Sequence, residues 1–192
     1  LLERKESYAH LMNDLDLIGA TNPKNVMPEA KSIIVLVAMY FKESFHPMME
    51  AHFGRLYLDE DRIFKKEMVS WIKDFVSLLR ESGIKAKPSY ALPHRACAGR
   101  AGIGNVGKNC LLYSSKPGHE NSWIIPITIL VDQEYEPDEP KNEEVFDCPD
   151  WCKNSCIVSC PTGALKGPRN LDPRRCISNM TYFAKEITPL EM

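Results

Sequence analysis

The chain lacks a long hydrophobic run. Its longest unbroken apolar stretch, Ile33 to Phe41, is nine residues, about half of the ~20 that a spanning helix requires, so no membrane span is expected. It also lacks an excess of either charge. In 192 residues, 24 Lys and Arg stand against 26 Asp and Glu, a formal net charge of −2. Free-standing nucleic-acid binders carry a concentrated basic balance, which is missing here. The opening Leu1-Leu2-Glu3-Arg4-Lys5 shows no secretory pattern and no initiator Met. A cytoplasmic protein is therefore the expectation, and the sequence reads as a fragment of a longer chain.

What remains is an ordinary globular composition, 44% hydrophobic and 26% charged, enough at this length to bury roughly 70% of the unfolded surface. Charge is uneven within it. Residues 133–150 carry eight acids against Lys141, a net of −7, whereas residues 151–192 carry a net of +3. Nine of the fourteen prolines lie from Pro117 onward. The acidic, Pro-rich stretch from Gln133 to Asp147 reads as a solvated connection, placing a boundary near residue 135.

Before that boundary, Ser32 to Phe41 reads as a buried strand. Apolar residues at Met68, Ile72, Phe75 and Leu79 predict a helix within 61–82, with Gly83 suited to the positive φ of a C-cap. Ile84 to Lys87 predicts a short strand stopped by Pro88, and Pro93 to Ala101 a helix. Trp123 to Val131 predicts a second apolar strand, with Pro126 marking an edge or a bulge. Strands separated by helices make this an α/β or α+β unit.

Gly102-Ile103-Gly104-Asn105-Val106-Gly107 matches G-x-G-x-x-G. A helix rather than a strand is expected before it, however, and no acid follows at the distance that would hold a ribose. Read on through Lys108-Asn109, it falls one residue short of a phosphate loop, because Asn109 stands where a hydroxyl would ligate Mg²⁺. The glycines are left with two readings: positive φ at a turn, or a backbone lying close to something flat or bulky.

Cysteine is the abundant exception. There are seven, an odd number, and four fall in thirteen residues at Cys148, Cys152, Cys156 and Cys160. Such bunching argues against a dispersed disulfide framework. The close, Cys156-x3-Cys160-Pro161, matches the end of the bacterial ferredoxin motif, although both earlier gaps are three residues rather than two. Structural zinc is the alternative and usually takes two separated Cys pairs. Twelve residues of helix extend ~18 Å, too far for one centre, so a loop feeding a short helix near Cys156 is expected. Cys176 follows Asp172-Pro173-Arg174-Arg175, where Asp172 suits an N-cap and Cys176 the first helical turn. Five candidate ligands are one more than a single [4Fe–4S] cluster needs and three fewer than two clusters need. Trp151, inside the run, is placed to shield a metal centre, whereas Cys97 and Cys110 read as packing residues.

Two stretches together carry a family resemblance. Cys160-Pro161-Thr162-Gly163-Ala164-Leu165 with Leu171-Asp172-Pro173-Arg174-Arg175-Cys176-Ile177-Ser178, and Arg95-Ala96-Cys97-Ala98-Gly99-Arg100-Ala101 running on through Gly102 to Asn109, resemble the epoxyqueuosine reductases, relatives of the reductive dehalogenases. The likeness runs from about residue 28 to 183 and suggests a truncated or divergent paralogue. It implies a nitroreductase-like α/β domain, residues 1–135, that binds cobalamin, followed by a small ferredoxin-like iron–sulfur domain, residues 136–192. It also implies that Gly102, Gly104, Gly107, Lys108 and Asn109 lie near the corrinoid. Cys148, Cys152 and Cys156 would hold the nearer 4Fe-4S cluster, with Cys160 and Cys176 belonging to a second. The family's acidic proton donor is replaced here by Pro88-Ser89-Tyr90, which makes Tyr90 the catalytic candidate, with a core tyrosine as its other reading.

The function expected is an oxidoreductase that passes electrons from 4Fe-4S clusters to bound cobalamin. Its donor would be a ferredoxin or flavodoxin, and its substrate small or nucleoside-like. The resemblance adds tRNA as a substrate, set against the near-neutral charge. The alternative is a non-catalytic electron carrier docking a redox partner.

Overall fold

A computed structural model describes residues 22–40, 44–52, 67–116, 121–139 and 151–179, together with Leu58 and Cys148. Its elements in order are α1 (Pro23–Val26), β1 (Ser32–Met39), α2 (Pro47–His52), α3 (Met68–Glu81), β2 (Ala86–Ser89), α4 (His94–Arg100), β3 (Gly104–Val106), β4 (Leu112–Ser114), β5 (Ile124–Val131), α5 (Ser155–Val158), β6 (Leu165–Gly167) and β7 (Asn170–Leu171), then a 3₁₀ turn, Pro173–Arg175. The architecture is mixed α/β with small sheets.

The main sheet has the order β1-β5-β2, and both pairings are antiparallel. β5 sits in the middle and is apolar on both faces. Ile127, Ile129 and Val131 meet Met68, Ile72, Val76 and Leu79 of α3. On the opposite face, Leu130 packs with Met27 and Leu92, and Ile124 packs with Ala98 and Leu112. This alternation is the period-2 consequence of a strand covered on both sides. Each fully buried Ile, Leu or Val of this set contributes about 1.5–3 kcal/mol.

β1 differs from its expected state. It forms, ending at Met39, but Ala38 is its only buried residue because, among the described residues, β1 is an edge strand. The expectation for Pro126 is also corrected, since it lies in the central strand and pairs with Val37 without a register break. The N–H of Tyr40 donates to the Trp123 carbonyl, so odd-numbered residues of β5 bond toward β1 and even-numbered ones toward β2. On that side β2 ends opposite Thr128, so the missing N–H of Pro126 has no ladder to break. Pro88 does not stop its strand. It lies within β2 opposite Ile129, while the Asp132 N–H donates to the Lys85 carbonyl. This phase turns Pro88 toward the side of β2 that has no partner strand among the described residues.

α3 begins at Met68, and residues 61–66 of the expected helix lie outside the described residues. It ends as the sequence indicates, with Gly83 at φ +81 and the Ile84 N–H donating to the Leu79 carbonyl, a Schellman-type stop. The acidic stretch is exposed through residue 139 but is tied down. The Tyr135 N–H donates to Ser32 Oγ at 3.0 Å. Residues 140–147 lie outside the described residues. Among the described residues, no helix is long and apolar enough to cross a membrane.

Candidate functional site

Helix α4 and the β3–β4 hairpin bound a cleft of about 910 Å³, whose lining includes His94, Arg95, Gly104, Val106, Cys110 and Arg169. Helix α4, the turn at Gly102 and the hairpin follow one another directly. This is a helix–turn–strand order, opposite to the strand–turn–helix of a phosphate-binding glycine loop, so the rejection of both nucleotide motifs stands on geometry. The cleft wall is pinned from within. Arg95 Nη1 donates to the Cys110 carbonyl at 3.0 Å, and Cys110 itself has φ +65.

His94 is anchored to the sheet. Its Nδ1 lies 3.2 Å from Thr128 Oγ1, and Oγ1 donates to the Ser89 carbonyl at 3.0 Å. Because the Thr128 proton is committed to Ser89, Oγ1 accepts from Nδ1–H, which leaves Nε2 as the basic nitrogen. Burial holds the imidazole below its ordinary value, opposed by the Tyr90 carbonyl and reinforced by the Arg95 charge. Thr128 is fully buried.

The glycines have reasons within the chain. Gly102 has φ +67, and a Cβ there would come 2.7 Å from the Glu139 carbonyl oxygen. A Cβ at Gly104 would collide with the Tyr113 carbonyl, and one at Gly107 would lie 2.6 Å from the Tyr113 ring. Asn109 closes the hairpin loop, its Oδ1 accepting from the Leu111 N–H and its Nδ2 donating to the Tyr113 hydroxyl at 3.0 Å. Of the five residues expected near a cofactor, Gly104 lines the cleft; Gly102, Gly107, Lys108 and Asn109 shape the loop behind it.

In the cysteine segment, α5 carries Cys156 and begins after Asn154, which has φ +58. The backbone N–H groups of Leu165, Ala164 and Thr162 face the Cys160 sulfur and hold its thiol below the ordinary value, Leu165 most strongly, against a smaller opposing effect of burial. The Thr162 hydroxyl lies 3.9 Å from the same sulfur. Cys176 is placed otherwise than expected. Asp172 caps a single 3₁₀ turn that ends at Cys176, and helical backbone begins again at Ile177, so Cys176 lies immediately before a helix rather than within its first turn. None of the seven cysteines is in a disulfide, and all are partly exposed. Among the described residues, no three metal-ligating side chains converge.

Comparison with known proteins supports the mixed α/β fold. The chain is 30% identical to the epoxyqueuosine reductase of Bacillus subtilis, over 94% of this chain and 47% of that protein. A solved structure of epoxyqueuosine reductase from Bacillus subtilis superposes with a TM-score of 0.65 at 30% identity, covering 94% of this chain and 48% of that one. This chain is a homologue of the epoxyqueuosine reductases. It spans about half the length of those relatives. No protein-family model matches it. Another solved epoxyqueuosine reductase, bound to an epoxyqueuosine-modified tRNA-Tyr stem loop, has a TM-score of 0.59 at 30% identity over 83% of this chain and 43% of that one.

Within this epoxyqueuosine reductase homologue, the donor chemistry around Cys160 fits an iron–sulfur ligand. N–H groups aimed at a sulfur stabilise thiolate and tune cluster potential. Tyr90 is neither a core residue nor a cleft wall, being 75% exposed. Trp151 is 81% exposed. Cys110 lines the cleft, whereas burial pushes the Cys97 thiol up, in keeping with an inert packing role. Sequence reading missed Thr128 and Arg169. Thr128 hides within an apolar strand, and Arg169 acts across 63 residues of sequence through its bond to the Val106 carbonyl, with no local signal of its partner.

Proposed function

We propose that the chain is the cofactor-bearing part of an oxidoreductase of the epoxyqueuosine reductase type, acting on a tRNA-borne nucleoside. In this reading, residues 1–135 form a nitroreductase-like corrinoid-binding domain and residues 136–192 a ferredoxin-like domain. The observation that carries the reading is the docking of the cysteine segment on the cleft: the Arg169 N–H, between Cys160 and Cys176, donates to the Lys108 carbonyl at 3.1 Å. An electron source and a reducing centre must be adjacent, and this contact supports such a layout.

Cys148, Cys152 and Cys156 would hold one 4Fe-4S cluster, and Cys160 and Cys176 would contribute to a second. A bound cobalamin would supply the reducing metal, with the clusters supplying electrons singly from a ferredoxin or flavodoxin. The chain's own residues do the rest. Arg95 fixes the cleft wall, Gly104 lets β3 lie against the Tyr113 carbonyl of β4, His94 offers Nε2 as a proton carrier, and the exposed Tyr90 is the further catalytic candidate. An electron carrier without a catalytic cleft is not favoured, because the likeness extends across 94% of the chain, beyond the cysteines.

The test is corrinoid titration of the anaerobically reconstituted protein. Binding should shift the corrinoid spectrum, and Ala96→Trp, which fills the cleft from α4, should weaken binding about tenfold or more. A spectrum that does not change at any corrinoid concentration excludes the catalytic reading in favour of the carrier.

A further inference from the structure

Arg169 has a position that neither the cluster nor the cleft alone explains. It lies in the turn between β6 and β7, with Cys160 before this hairpin and Cys176 after it. Its backbone takes φ +54, a region that side chains other than Gly, Asn and Asp seldom enter. From there it makes two bonds to the glycine-rich loop: its N–H to the Lys108 carbonyl at 3.1 Å, and its Nε–H to the Val106 carbonyl at 2.8 Å. Val106 and Arg169 both line the cleft. The turn is held at its other end by the Asp172 N–H donating to the Ala164 carbonyl, and Ala164 is one of the residues whose N–H faces the Cys160 sulfur. A continuous backbone path therefore runs from Cys160, through Ala164, β6 and Arg169, to Val106 in the cleft.

The geometry points to Arg169 as a positioning residue that couples metal loading of the cysteine segment to the order of the cofactor cleft. This rests on the functional reading above, in that the cysteines bind iron. Drawing Cys160 and Cys176 onto metal fixes the β6–β7 hairpin between them. Arg169 then holds the Val106–Lys108 backbone in its cleft-forming shape. A guanidinium suits the task because its planar Nε–H is charge-assisted and directional. The left-handed backbone keeps that reach short. Without metal the hairpin loosens, and the loop loses part of its restraint.

Hydrogen exchange of the β3–β4 hairpin, residues 104–114, tests this without reference to turnover or corrinoid. In the wild-type protein, anaerobic loading with iron and sulfide should slow exchange of the loop amides between Val106 and Leu111 about tenfold, the scale of one charge-assisted hydrogen bond. Arg169→Gly accommodates the positive φ but lacks the guanidinium. It should take up the same iron, with the same visible absorbance, yet leave loop exchange nearly unchanged on loading. Arg169→Asn, which also tolerates this backbone, should behave like the glycine variant, showing that loss of the guanidinium and not added turn flexibility is responsible. Equal slowing in wild type and both variants would overturn the coupling while leaving the cluster reading intact. Failure of all three proteins to take up iron would overturn both together.

Discussion

The sheet unit and the cysteine segment are held together by different physics. In the first, Ile129, Leu130, Val131 and Thr128 are fully buried, and α3 covers one face of the sheet while α1 and α4 cover the other. In the second, among residues 151–179, only Ala164, Asp172 and Pro173 are buried. One of those three is a carboxylate, paired with Lys166 Nζ at 2.9 Å and Arg174 Nη2 at 3.0 Å. Apolar burial gives the sheet unit its own stability. Among its described residues the cysteine segment has little of it, and in the proposed reading their order comes from polar bonds and from the metal that the thiolates would hold. For such a segment, metal-binding free energy is largely folding free energy.

Removal of metal should separate the two regions most sharply. Chelation of the reconstituted protein should abolish hydrogen-exchange protection in residues 151–179 while that of β5 persists, read by mass spectrometry. Equal loss in both regions would erase the distinction. Next in size, Ile129→Ala should cost about 2–5 kcal/mol through the cavity it leaves, read as a fall in the denaturant midpoint. Val158→Ala, at a side chain 81% exposed, should change stability by less than about 0.5 kcal/mol.

Asp172→Asn should cost about 1–3 kcal/mol, since it leaves Lys166 and Arg174 around a buried group without charge, and the loss should be confined to the cysteine segment. Arg174, then Lys166, hold this carboxyl far below the ordinary carboxylate range. The folded value is depressed, so its stabilisation is fully present above the unfolded value of about 3.9 and declines as pH falls toward the folded value. Acid melts from pH 5 downward should therefore show the wild type losing its advantage over Asp172→Asn.

The smallest effect concerns His94. Burial lowers its value, so the neutral ring contributes stability above the unfolded value of about 6.5, and this is lost as pH falls through the folded value. An NMR titration should place its midpoint below about 6.5, and Thr128→Val, which removes the anchoring hydroxyl, should alter that midpoint.

The same contrast explains what the sequence shows directly. The helix at Met68, its stop at Gly83 and the strand ending at Val131 are local patterns of period and capping, and they form as expected. Pro126 misleads because its effect depends on where a neighbouring strand ends, and β2 ends at Ser89 for reasons outside the Trp123–Val131 stretch. The short helix at Cys156, expected from the cysteine spacing, forms, and the metal chemistry read from the same spacing belongs to the proposed function. Cys176 differs because the turn that Asp172 caps is a single 3₁₀ turn, and helical backbone resumes only after Cys176, at Ile177. The cleft is the least legible part. Its walls come from α4, the hairpin, β5 and Arg169, and the side chains that fix it bond across long sequence separations.

Iron and sulfide reconstitution under anaerobic conditions, followed by visible absorbance and iron counting, tests the central claim most directly. The wild-type chain should acquire the broad absorbance of thiolate-bound iron–sulfur clusters. Cys156→Ala should lose most of it, and Cys97→Ala should lose none. Stoichiometric zinc with no visible absorbance, or iron uptake unaffected by Cys156→Ala, would contradict the assignment of the cysteine segment as an iron–sulfur site.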